Sequence, residues 1–360
     1  MKTPLRVLQI SVRSDMGGGP RHLFDLLRCL KGTEIACFVA APDEKPFGSK
    51  FRALAHGFFP IPHRRPSAVA IARLAALISR EKIDLIHSHG RGAGYYSRML
   101  GPMTQTPVIH TFHGIFSDDT FSSRLKMIAD RFLARTNFTA IFVAPSEARQ
   151  ATETGVVRNQ TQIMIPNAVD LTRFSGAHQH STPGSRRIGA FLNTTQAKGA
   201  DLFLKLAQAC EGLPWTFECA GLSLNELEKI GTFSSNVKAL GVCEEPAEWL
   251  MGLDLYVSCA RQEGFPIGVL EAMAAGTPCY LSDIEAHRIF IDQEAARVLC
   301  ADAFMTELET FENSRHALTK MAVCARSVVE EHYSLAKFKT EMTKLYLASI
   351  REDDSPELFG

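Results

Sequence analysis

The chain has 360 residues, 46% of them apolar and 22% charged, close to globular averages; this excludes a disordered chain or a small stapled scaffold and leaves room for two or three domains. Apolar runs such as 67–78 are broken by charge, here Arg73, short of the roughly 20 residues a bilayer span needs, so neither a membrane span nor a secretory leader is expected. Nine cysteines stand singly with no C-x-x-C pair, which argues against a disulfide framework or a zinc ribbon and places the chain in a reducing cytoplasm. The zero net charge conceals a division: residues 1–180 carry 23 Lys and Arg against 13 Asp and Glu, a balance of +10, and residues 181–360 carry 16 against 26, a balance of −10. A basic half suits an anionic acceptor, a phosphate-bearing ligand or a lipid surface.

In chain order, short runs rich in Val, Ile and Phe alternate with longer segments of helical period, the pattern of parallel sheets with crossover helices. Strands are expected at 6–11, 35–41, 83–87, 107–112 and 140–144, and again at 187–192, 215–220, 237–240, 253–258, 278–281 and 296–299. Between the two series, 175–186 is polar, carries Gly, Pro and Ser, has no period and reads as a linker. The fold class is therefore α/β: two Rossmann-like doubly wound domains, 1–174 and 187–333, facing one another across a cleft. The amphipathic tail 334–360, with Phe338, Met342, Leu345 and Tyr346 on one face, is expected to cross back to the first domain. A ligand shared by two such domains belongs at the C-terminal ends of their strands, where loops leave and helix N-termini point.

The strongest local signal follows the strand at 253–258. In Glu263-Gly264-Phe265-Pro266-Ile267-Gly268-Val269-Leu270-Glu271, Pro266 suits the first position of a helix, and the amides of Ile267, Gly268 and Val269 are then open to an anion. Two carboxylates flanking such a helix start would repel a phosphate directly. They suit the vicinal hydroxyls of sugars on either side of it, which describes a nucleotide sugar.

This segment resembles the hallmark of the retaining glycosyltransferases of family 4, also called group 1, which have the GT-B fold. Further landmarks follow in family order: Gly17-Gly18-Gly19-Pro-Arg21-His-Leu, Asp84-Leu-Ile-His87-Ser-His89-Gly, Thr111-Phe-His113-Gly114, Ala144-Pro-Ser146-Glu147, Ile165-Pro-Asn167-Ala-Val-Asp170 and Ala197-Lys198-Gly199. The resemblance implies that Glu263 binds hydroxyls of the donor sugar and Glu271 the ribose, with Gly264, Phe265, Pro266, Ile267 and Gly268 lining the nucleotide. It implies that Gly18 and Gly19 receive phosphate or acceptor, that His113 meets the donor sugar at the reacting centre, and that Lys198 stabilises the leaving diphosphate. Arg21, His89, Arg91, Ser146 and Asn167 are the acceptor or cleft candidates. The family pattern has Arg five residues before the Lys; here that position is Asn193, and Arg13, Arg21 and Arg261 are the candidates to replace its charge. Four histidines, His87, His89, His110 and His113, crowd one edge, but their spacing fits alternating strand ends better than a ligand set, with His87 and His110 read as core, and no metal is expected.

In 124–135, Leu125, Ile128, Ala129 and Phe132 repeat at helical spacing while Arg124, Arg131 and Arg135 cluster on another face; Arg64, Arg65, Arg73, Arg80 and Lys82, preceded by Phe58-Phe59, extend the basic surface. These faces permit docking on an anionic membrane. The expected function is transfer of a hexose-type sugar from a nucleoside diphosphate donor, a UDP-sugar favoured, to a glycan or lipid-linked acceptor in cell-surface polysaccharide or lipopolysaccharide synthesis. It would act in the cytoplasm or peripherally on the cytoplasmic membrane face, without a cofactor or nucleic acid. The alternatives are a non-catalytic GT-B nucleotide-binding or assembly protein and a nucleotide-sugar epimerase.

Overall fold

The computed structural model describes residues 4–115, 121–176, 185–300 and 315–350. The chain divides into two compact units, one of Met1–Pro166 with Ala336–Gly360 and the other of Asn167–Leu335. The division thus falls ahead of the stretch 175–186 read as a linker, most of which (177–184) lies outside the described residues.

The first unit is built on a seven-stranded parallel sheet of β1 (Leu5–Ser11), β2 (Ile35–Ala41), β3 (Gly57–Pro60), β4 (Leu85–His89), β5 (Val108–Thr111), β6 (Thr139–Phe142) and β7 (Gln162–Met164), in the order β3-β2-β1-β4-β5-β6-β7. The central strands are apolar almost throughout because helices cover both faces: five of the seven residues of β2 form one buried run, Cys37 to Ala41. Strands β3 and β7 go beyond the sequence reading. One is a half-exposed Gly-Phe-Phe-Pro edge and the other a three-residue edge with only Ile163 buried, each too short for a periodic signal. Strand order reverses between β1 and β4, and the pairing puts Ser11 level with His89, and His89 level with Thr111. The loops after β1, β4 and β5 therefore leave one edge side by side, the position at which open α/β sheets bind ligands. The helix Leu335–Ala348 belongs to this unit; Phe338, Met342, Leu345 and Tyr346 are buried, and the Tyr346 hydroxyl meets Gln9 at 2.9 Å and His87 at 2.6 Å.

The second unit repeats the plan with six parallel strands, β8 (Arg186–Phe191), β9 (Trp215–Ala220), β10 (Val237–Gly241), β11 (Leu255–Ser258), β12 (Cys279–Leu281) and β13 (Arg297–Val298), ordered β10-β9-β8-β11-β12-β13. Here the reversal lies between β8 and β11, so the loop carrying Asn193 and Lys198 leaves beside the loop carrying Arg261 and Glu263. Helix Ile267–Ala274 follows the second of these loops and is buried from Val269 to Ala274. It packs so closely on β8 that a Cβ on Gly268 would stand 2.6 Å from the Phe191 ring, so only glycine fits there.

Candidate functional site

In the second unit, the turn at 196–199 and the loop after β11 are locked together. The amide of Arg261 donates to the carbonyl of Ala197 at 2.7 Å, and Gly199, at φ +66°, lies so close to the Cys259 carbonyl that any side chain would collide with it. This locking sets Lys198 against Glu263 in an ion pair that is only partly exposed on both sides. Helix Ile267–Ala274 begins one residue later than expected, with Pro266 at its cap rather than in its first turn. The Pro266 carbonyl accepts from Val269 at 3.0 Å, which corrects the expectation that the Val269 amide is open. Among the described residues the amides of Ile267 and Gly268 have no backbone acceptor, and the positive end of the helix dipole adds to them.

Glu271, a little over one turn into this helix, is 5% exposed, and its Oε1 accepts from Arg173 Nη1 at 3.1 Å. Arg173 sits on a single 3-10 turn, Leu171–Phe174, capped by Asp170 Oδ1, which accepts from the Thr172 amide at 3.1 Å. Asn167 folds with this unit and donates from Nδ2 to the Phe265 carbonyl at 3.0 Å. An acceptor or cleft candidate in the sequence, it braces the loop between Glu263 and Pro266. The segment 167–173 thus supports both ends of the two-glutamate motif.

Asn193 stands where the family has Arg, and its Oδ1 accepts from the Thr195 amide at 2.9 Å and the Thr195 hydroxyl at 2.6 Å, closing a local turn. Arg13 and Arg21 belong to the other unit and are paired there with Asp15 and Asp25 at 2.7 and 2.8 Å. Arg261 is the candidate that the fold delivers beside Lys198. Its guanidinium reaches Asp201 through two 2.7 Å bonds and the Gln196 carbonyl at 3.0 Å, and the pairing lowers the Asp201 carboxyl.

In the first unit, Gly18 and Gly19 open helix Gly18–Leu30, and a Cβ on Gly19 would lie 3.7 Å from the His113 ring. His89 ends β4 and His113 follows β5, and their rings stack at 5.9 Å between centroids. His22, which the sequence reading did not single out, joins them, with its ring 4.6 Å from His113 and 5.5 Å from His89. Arg91 pairs with buried Asp130 at 2.9 Å, as does buried Arg98 at 3.2 Å, and Arg91, Arg98 and Asp130 line a small recess with His113. Ser146 is half-buried in the first turn of helix Pro145–Thr154, where its neighbour Glu147 does the bracing: its carboxylate accepts from the Gly114 amide and, at 3.0 Å, from the Val143 amide, fixing the turn that carries His113. His87 and His110 are wholly buried and bonded into the sheet, to Tyr346 and Thr111 at 2.6 and 2.8 Å and to Ser88 at 2.9 Å.

Burial holds the His87 and His110 imidazoles well below the ordinary histidine value, and pushes the Glu147 carboxyl up to about 7 against its two amide bonds. The signs are opposite. Histidines with lowered folded values take up protons on unfolding, so their contribution is lost as pH falls below the ordinary 6.5, at up to about 1.4 kcal/mol per group and pH unit. Glu147 contributes most below the ordinary 4.5 and loses that contribution as pH rises towards 7. Burial lowers His89, His113 and His287 in the same way, and these five histidines outweigh the raised carboxyls of Glu147, Asp130 and Glu341, so the thermal midpoint is expected to fall between pH 7 and pH 5. Glu147→Gln, which faces two amide donors with only one acceptor, is expected to cost about 1–3 kcal/mol and to steepen that fall. Thermal scans at several pH values check both.

The model for Glycosyltransferase Family 4 matches residues 16–173 and that for Glycosyl transferases group 1 matches residues 186–311. The UDP-Gal:alpha-D-GlcNAc-diphosphoundecaprenol alpha-1,3-galactosyltransferase of Escherichia coli is 22% identical over 78% of this chain and 79% of its own. The GDP-mannose:cellobiosyl-diphosphopolyprenol alpha-mannosyltransferase of Xanthomonas campestris is 29% identical over 56% of each chain. The crystal structure of Anabaena Alr3699/HepE in complex with UDP and glucose superposes with a TM-score of 0.81 at 14% identity, covering 96% of this chain and all of that one. With both halves matched in order and the two doubly wound sheets in place, the chain belongs to the glycosyltransferases of family 4, group 1, with the two-domain α/β GT-B fold.

Proposed function

We propose that this glycosyltransferase moves a hexose-type sugar from a nucleoside diphosphate sugar, a UDP-sugar first among the candidates, to a glycan or lipid-linked glycan, with retention at the anomeric carbon and without a metal cofactor. The observation that carries the reading is the Lys198–Glu263 pair at the mouth of a helix start with two open amides: a cation and amides for a diphosphate, a carboxylate for the adjoining sugar. The anomeric carbon–oxygen bond to the diphosphate breaks, the acceptor oxygen bonds to that carbon on the same face, and the acceptor proton passes to the leaving diphosphate oxygen. The second unit holds the nucleotide; the first supplies His113 and the acceptor site. Two relatives named for diphosphate-linked polyprenol acceptors support a lipid-linked acceptor, and two further relatives named for lipopolysaccharide core biosynthesis support a place in lipopolysaccharide or cell-surface polysaccharide assembly.

Calorimetric titration with UDP, GDP and ADP, followed by product analysis with the matching sugar nucleotides, tests this. Binding of one nucleoside diphosphate and an acceptor-dependent α-linked product are expected. Absence of nucleotide binding would favour an assembly role, and conversion of the donor without acceptor would favour an epimerase.

The peripheral location has its own geometry. Among the described residues no helix is long and apolar enough to cross a membrane. Helix Phe121–Leu133 packs through Met127 and Asp130, so Leu125, Ile128 and Phe132, at 58%, 61% and 65% exposure, point outward as one stripe. This reverses the usual meaning of an apolar helical period. Exposed Arg124, Arg131 and Arg135 flank the stripe. Inserting three such side chains contributes about 1.5–3 kcal/mol each, and each basic residue near an anionic surface about 1 kcal/mol. Sedimentation with phosphatidylglycerol vesicles is expected to carry the protein down, and Leu125→Glu with Phe132→Glu to weaken binding about 100-fold or more.

A further inference from the structure

We propose that His22, His89 and His113 form a three-nitrogen site for a borderline divalent transition metal, zinc above all, which inhibits transfer rather than serving it. The three rings come from helix Gly18–Leu30, the end of β4 and the turn after β5, and their ligand atoms all lie within 4.8 Å of one another. Centroid separations of 4.6, 5.5 and 5.9 Å are close to those of imidazoles sharing one ion at about 2.0–2.1 Å from each nitrogen.

Two orphaned atoms point to a ligand. His89 Nδ1 and His113 Nε2 are buried with no hydrogen-bond partner, and His89 is 5% exposed. The His89 tautomer follows from a chain of bonds. Gln9 Nε2 donates to the Tyr346 hydroxyl at 2.9 Å, which turns Gln9 Oε1 towards His89 Nε2, also at 2.9 Å. His89 therefore carries its proton on Nε2 and presents a bare lone pair at Nδ1. That is the arrangement of a metal-ligating histidine, whose second ring nitrogen is held by an outer carbonyl. Burial favours the neutral rings, the form that binds metal. His87, whose nitrogens face Tyr346 and Thr111, is not part of the set, and neither is His110, whose Nδ1 faces Ser88 and whose unpartnered Nε2 lies outside the three-ring cluster.

An ion here engages His113, which the proposed transfer places at the donor sugar, so inhibition rests on that reading, whereas binding of the metal does not. The test is titration of zinc alone into the chelator-treated full-length protein, with cobalt(II) as an optical probe. One zinc per chain, and a cobalt spectrum of the intense tetrahedral type, are expected. His22→Gln should weaken zinc by more than the roughly 10–100-fold that loss of an outer partner costs, and should abolish zinc inhibition relative to its own metal-free rate. No stoichiometric binding to the native protein, or equal affinity in folded His22→Gln, overturns the site. Binding without inhibition overturns the inhibitory role alone.

Discussion

Replacing Lys198 by alanine is expected to lower turnover in sugar transfer by about 10²–10³-fold, about 3–4 kcal/mol of transition-state stabilisation, with little change in thermal midpoint. The two effects separate because the ion pair to Glu263 is itself weak. Lys198 retains 30% of its side-chain exposure and Glu263 13%, so the resting pair contributes on the order of 0–1 kcal/mol and opens readily. Negative charge on a departing diphosphate develops only during reaction and meets an ammonium carried on a backbone fixed by the Gly199–Cys259 contact. Asn193 has no charge to share the task. Arg261→Ala is therefore the companion variant: if its guanidinium leaves Asp201 for the diphosphate, it too loses turnover, whereas a guanidinium that only staples two loops costs stability instead. Unchanged turnover in Lys198→Ala, measured with a donor that binds, would remove Lys198 from the chemistry.

Much of this arrangement is legible in the sequence because each doubly wound unit announces itself through buried strands that are apolar on both faces. The central strands, the glycine turn before helix Gly18–Leu30 and the two-glutamate segment are local features, readable from spacing. What escapes is set by tertiary contacts. His22 lies at an unremarkable position in a helix, and only the pairing of β1 with β4 and β4 with β5 brings it to His89 and His113. Glu147 looks like a first-turn carboxylate, yet its oxygens hold the Gly114 turn 33 residues away. The stripe of Leu125, Ile128 and Phe132 has the period of a core face, and periodicity alone cannot say which side of a helix meets the sheet. Asn167 stands out in the sequence only through the landmark Ile165-Pro-Asn167, and its bond to the Phe265 carbonyl, 98 residues on, is visible only in the folded chain, where Asn167 opens the second unit.

Loss of Arg173 should change how the donor is read without touching the donor directly. Arg173→Ala removes a charge-assisted bond to nearly buried Glu271, worth about 1.5–3 kcal/mol, and is expected to raise the KM for the donor about 10-fold or more. Its second bond, to Glu245 at 2.9 Å, matters little, since Glu245 keeps 73% of its side-chain exposure. Because Arg173 acts through Glu271, the informative readout is discrimination between a ribonucleotide donor and its 2′-deoxy counterpart. The native protein should prefer the ribose form, Glu271→Ala should lose the preference, and Arg173→Ala should lose most of it while keeping turnover at saturating donor. Arg173→Lys should recover part of the preference, since an ammonium can hold one carboxylate oxygen but cannot bridge two carboxylates as the guanidinium does. A normal preference in Arg173→Ala beside a lost one in Glu271→Ala would mean that helix packing alone orients the carboxylate. A normal preference in both would instead take the ribose away from Glu271.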